Sequence, residues 1–199
     1  METLREFLNK VKLYIQVTHV SDIARRYFAM NGFDGSMTVL GVILGAWITG
    51  VKDPKVIVMT GFGACLAMGV SGFFGAYITE KAERRRQLRE LEESMLEDLD
   101  DSLHRDASEF ASALTAITNC LSPALTAAIS LVPFIFSMFG VIPIFNSYIA
   151  SFTLTSLTLF SIGIYLGRVA GENVWLYGIQ MLMAGLVITI ILFLLGEFA

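Results

Sequence analysis

The sequence predicts an all-α integral membrane protein of five transmembrane helices, with an amphipathic N-terminal helix and a cytoplasmic acidic helical insert between spans two and three. Three observations carry this. Of 199 residues, 55% are hydrophobic and the mean hydropathy is +0.66. Only 16% are charged, against about 25% in a soluble domain. Charge is also segregated: residues 80–109 hold 11 of the 18 carboxylates and six of the 14 basic residues, while long uncharged runs lie on either side.

Each element follows from the chain in order. Residues 1–26 mix charge (Arg5, Glu6, Lys10, Lys12, Asp22, Arg25, Arg26) with Phe7, Val11, Tyr14, Ile15, Val20 and Ile23. No apolar stretch precedes a small-residue cleavage site, so this is not a secretory signal. It predicts an interfacial amphipathic helix. Tyr27–Val51 and Val56–Thr79 form the first transmembrane pair, grouped as residues 27–79. Residues 80–112 form the charged insert, and 113–199 the last three spans. The uncharged run Phe110–Gly167 is too long for one span. Gly140, Pro143 and Asn146 break it, giving spans Ala113–Phe139 and Ile144–Gly167, followed by Val174–Leu195. The glycines of span two, from Gly61 to Gly75, permit close helix approach, within the bundle or across a dimer.

Twelve Lys and Arg fall on the N-terminal side of the membrane, and only Lys52 and Lys55 on the other. The positive-inside rule puts the N-terminus and the insert in the cytoplasm, and the C-terminus outside or in a lumen, with the cell membrane as the expected location. Cys65 and Cys120 both fall in spans, which suggests no disulfide framework. No basic stripe interleaved with aromatics supports nucleic-acid binding. No catalytic motif is present, and Asp101-x-x-His104 is the sole approach to a di-iron motif. The expectation is neither an enzyme nor a holder of a prosthetic group.

Asp34 is the first candidate for chemistry. A carboxylate inside a span costs about 2.5–3.5 kcal/mol and marks a pathway. The alternative is a span beginning at Ser36 with Asp34 as its N-cap. Met68 and Cys65, three residues apart on span two, are either apolar filler or soft donors. With Asp34 they would suit a borderline metal such as Fe²⁺. In the insert, Glu83, Glu90, Glu93, Glu97, Asp101 and His104 share one face of a continuous helix, opposite Leu88, Leu91, Met95, Leu99 and Leu103. That acidic stripe is either a solvated face with i, i+4 ion pairs or a cation site. Arg84, Arg85, Arg86 and Arg89 lie between, able to meet acids or anionic lipid headgroups.

Phe33-Asp34-Gly35-x-x-Thr38 with Gly41 and Gly45, and Ala67-Met68-Gly69-Val70-Ser71-Gly72 running through Gly75-Ala76-Tyr77 to Glu80 and Glu83, resemble the first two spans of the vacuolar iron transporter family. The resemblance implies a dimeric five-span fold that moves Fe²⁺, and often Mn²⁺, out of the cytoplasm in exchange for protons, with the metal as substrate. It implies translocation positions at Asp34 and Met68, and metal ligands at Glu80, Glu83, Glu90 and Glu93; Cys65 joins that path only by its place on the face of Met68. Met95 and Glu97 match more loosely. The chain departs from the family near Thr60, where a glutamate is common; Val56–Thr79 holds no carboxylate. Its insert is also shorter than in plant members, as in a divergent prokaryotic relative. The competing expectation is a non-transporting membrane scaffold whose charged helices bind a partner or lipid.

Overall fold

The hydrophobic runs become helices because, in lipid, each backbone N–H and C=O must be satisfied within its own segment. The computed structural model describes residues 11–18, 20–95 and 103–197, except for the side chains of Leu103 and His104. Residues 11–18 are helical. They are followed by α1 (Val20–Ile48), α2 (Pro54–Met95), α3 (Leu103–Met138), α4 (Ile144–Ala170) and α5 (Val174–Gly196). All five are long and apolar enough to cross a membrane, and the described residues contain no strand.

The expected break at Gly140–Asn146 falls between α3 and α4, where Gly140 adopts φ 72°. α4 ends on Gly171 at φ 70°, whose N–H returns to the Arg168 carbonyl. The left-handed conformation is open to glycine because it lacks Cβ. α5 starts at Asn173, whose side chain accepts the Trp175 N–H at 3.0 Å, satisfying one orphan donor of the first turn.

Three helix bounds differ from the sequence reading; one is α3, which starts at Leu103, ten residues before the expected Ala113. α1 begins at Val20, so the last residues of the leader are the first turns of the span-one helix. α2 continues past Thr79 to Met95 without interruption, so the first part of the charged insert prolongs span two.

The chain divides into two units, one of Met1–Phe28 with Val70–Cys120 and one of Ala29–Gly69 with Leu121–Ala199. In the second, Val39 and Ile43 of α1, Ile57 and Cys65 of α2, Leu131 and Phe134 of α3 and Tyr148 of α4 form one buried cluster. Trp47 stands edge-on to Tyr148, with ring centroids 4.9 Å apart. The Tyr148 hydroxyl donates to the Val51 carbonyl at 2.8 Å, which fastens the α1–α2 turn to α4. Small residues bring backbones together: a Cβ at Gly35 would stand 2.6 Å from Pro123 Cα. The Ser151 hydroxyl donates to the Ser130 carbonyl at 2.7 Å in a buried α4–α3 contact. An interhelical bond of this kind is worth about 0.6–1.7 kcal/mol. Ser151→Ala is expected to lower stability by that amount, read as an earlier thermal unfolding in detergent; an unchanged midpoint would remove the bond from the stabilising set.

In the first unit the close-packed surface is a row of small residues on α3. Ala107, Ala111, Thr115 and Ala116 are fully buried and Ser112 nearly so. Tyr14 donates to Asp106 Oδ2 at 3.1 Å, and its ring lies 5.7 Å from that of Phe110. Asn119 Nδ2 donates to the Gly72 carbonyl at 2.6 Å, where a Cβ at position 72 would stand 3.1 Å from that nitrogen.

Candidate metal-translocation site

Asp34 lies inside α1, because Gly32 and Gly35, which read locally as helix breakers, are contact points. Their Cβ positions face Ser122 Oγ at 3.0 Å and Pro123 Cα at 2.6 Å respectively. The Ser36 hydroxyl is buried and donates to the Gly32 carbonyl at 2.9 Å, which keeps the turn helical. The N-cap alternative is thereby set aside, since helix runs from Val20 to Ile48 through Asp34.

With Gly32, Gly35, Ser36, Val39 and Ile43 buried, the opposite face of α1 carries Asp34. At 100° per residue, Met30, Thr38, Gly41 and Gly45 fall within about 40° of it. Asp34 and Met30 are exposed, and a Cβ added at Gly41 or Gly45 would meet nothing within 4 Å. A carboxylate thus stands on a membrane-crossing helix above a smooth, uncovered glycine track.

Met68 is half-buried on α2. Cys65 is 1% exposed, within the apolar cluster of Ile57, Leu131 and Phe134. That packing is what an apolar filler would have. Thr60, where a family glutamate is common, turns its hydroxyl back to the Val56 carbonyl at 2.7 Å. Among the described residues, no three His, Cys, Asp or Glu side chains gather as a metal shell would.

In the other unit, the α2 extension carries Glu80, Glu83, Glu90 and Glu93; Glu97 and Asp101 lie outside the described residues. Glu83, Glu90 and Glu93 are exposed and Glu80 is half-buried. Glu83 Oε1 accepts Arg86 Nη2 at 2.9 Å and Gln87 Nε2 at 3.1 Å. Those two hydrogen bonds, the arginine's first, hold its carboxyl below the usual range. It is therefore ionised near neutral pH, as a ligand must be. Arg86 also approaches Glu90 at 3.7 Å, so these two acids share one cation. Glu80 accepts from the Tyr27 hydroxyl at 3.5 Å and pairs with Arg84 Nε at 3.5 Å.

The packing face of this extension differs from the expected one. Leu88 and Leu91 are half-buried, but Met95 is 53% exposed. The most buried side chain there is Arg84, at 7% exposure. The sequence reading placed it in an undifferentiated arginine run. The missed signal was its phase, since it precedes Leu88 by four residues and Leu91 by seven, on one helix face. Also missed were the buried oxygens Thr115 Oγ1 and Asn119 Oδ1 on α3, which have no hydrogen-bond partner among the described residues. Spaced i, i+4, they face the same way and are hard donors suited to a water or a cation.

The model of the VIT family matches residues 26–114, an interval that takes in Asp34, Met68 and the glutamates from Glu80 to Glu93. The uncharacterized protein MJ0645 of Methanocaldococcus jannaschii is 29% identical over 175 residues, which cover 86% of this chain and 88% of that protein. No solved structure matches the chain. The matched residues 26–114 run from the head of span one across the charged helix to the start of span three, and over them the chain is similar to the VIT family.

Proposed function

We propose that this protein exports Fe²⁺, and Mn²⁺ beside it, from the cytoplasm across the cell membrane as a homodimer, by exchange with protons. The family match over residues 26–114 supports membrane metal-ion transport in general. The observation that carries the finer reading is Asp34, exposed on a single chain within a membrane-crossing helix. Left against lipid, its charge would cost about 2.5–3.5 kcal/mol. A second copy laid along the Gly41 and Gly45 track would cover it and set two carboxylates facing each other. Met68 adds a soft donor, which favours Fe²⁺ over Mg²⁺ or Ca²⁺, while Cys65, packed among apolar side chains, serves the fold. Asp34 is the sole carboxylate within the five predicted spans. In this reading one group takes up metal and proton in turn, without the second-span glutamate common in the family. The distribution of lysines and arginines supports a cytoplasmic N-terminus and cytoplasmic charged helices.

Glu80, Glu83, Glu90 and Glu93 collect the ion first, with Glu97 beyond them. Glu83→Ala combined with Glu90→Ala is expected to weaken Mn²⁺ binding by at least about tenfold in titration calorimetry of the purified protein. An unchanged isotherm would leave the acidic face as a solvated surface held by Arg86.

A further inference from the structure

Within the first unit, α2 and α3 border a half-open cavity of about 340 Å³. Lys81, Arg84, Arg85 and Arg89 of α2 and Arg105 of α3 line it, together with the Ser108 and Ser112 hydroxyls. Only two lining carboxylates, Glu92 and Glu109, oppose these five cations. Arg84 is the buried member. Its Nε and Nη2 find no hydrogen-bond partner among the described residues. Glu80 Oε2, 3.5 Å from Nε, offsets its charge without accepting a hydrogen bond. A guanidinium out of water with donors unmet is costly. The group that satisfies those donors best is an oxyanion, because the planar fork matches phosphate oxygens bidentately.

We infer that this cavity binds a phosphate-bearing anion, with Arg84 as the buried anchor and Lys81, Arg85, Arg89 and Arg105 neutralising its charge. Such a group is either free phosphate or the headgroup of an anionic lipid. The headgroup is within reach, since Lys81 stands two residues beyond Thr79, the end of span two, and basic side chains there meet anionic leaflets. The inference does not depend on which metal the spans carry.

The test uses the purified full-length protein in two arms. Inorganic phosphate is titrated calorimetrically into protein held in a neutral maltoside. Separately, thermal unfolding is compared in nanodiscs of phosphatidylcholine alone and of phosphatidylcholine with phosphatidylglycerol. A phosphate isotherm identifies the free anion as a ligand; stabilisation by phosphatidylglycerol alone identifies the headgroup. In whichever arm responds, Arg84→Gln is expected to weaken the response at least about tenfold. Arg86→Gln, an equal change of charge on the exposed face outside the cavity, is expected to leave it intact. If Arg84→Gln does not fold, Arg89→Gln at the cavity rim is read instead, with about fivefold weakening expected. No response of the wild-type protein in either arm would overturn the inference, as would equal weakening by Arg86→Gln.

Discussion

Asp34→Asn is expected to bring Fe²⁺ uptake into inside-out membrane vesicles down to that of vesicles lacking the protein, with expression little changed. Asparagine has the same shape and retains hydrogen-bonding capacity, but it neither carries charge nor exchanges a proton. The substitution should not disturb packing, because Asp34 is on the exposed face while the buried contacts of α1 run through Gly32, Gly35 and Ser36. Removing a charge from a membrane-crossing helix also eases insertion. A stable, inserted and inactive protein separates the loss of function from misfolding. Wild-type uptake in the variant would take Asp34 out of the path.

Gly163→Val is expected to have the largest structural effect. α4 and α5 meet backbone to backbone there: a Cβ at Gly163 would stand 2.5 Å from the Tyr177 carbonyl oxygen and 2.6 Å from Gly178 Cα. Neither is a flexible side-chain end. Across the contact, a Cβ at Gly178 would meet the Phe160 ring at 2.4 Å, so α5 cannot slide aside along its own glycine. Overpacking of this kind costs about 1–3 kcal/mol. It acts on a helix whose buried residues are Gly178 and Gly185, held by van der Waals approach in lipid. Limited proteolysis and thermal unfolding in detergent check this; a wild-type midpoint would mean that α5 is anchored elsewhere. Gly41→Ala is the natural comparison, since its Cβ would meet nothing within the chain.

The number of helices and the break after Met138 were legible because they depend on local signals: uncharged runs, and glycine and proline between them. Helix ends near the charged regions were not. Asp34-Gly35-Ser36 also fits an N-cap in sequence, and it is helix in the structure, where Gly32 and Gly35 pack on Ser122 and Pro123. The same contact decides that Asp34 is inside the helix. The exposure of Asp34 and the burial of Cys65 depend on which face of each helix its neighbours cover, and the expected grouping of metal donors could not settle this. Arg84 escaped notice for a related reason. In a run of three arginines, composition suggests one solvated surface, whereas phase with Leu88 and Leu91 sends one side chain inward. The acidic face was visible as a periodicity, but not that Glu83 and Glu90 already share Arg86.

Metal flux into proteoliposomes containing the wild-type chain, with the pH gradient imposed or collapsed, tests metal export most directly. The expected result is Fe²⁺ entry above that of protein-free liposomes, faster when protons flow the opposite way, with Mn²⁺ following and Mg²⁺ excluded. Fe²⁺ entry no faster than in protein-free liposomes, under either condition, would contradict it.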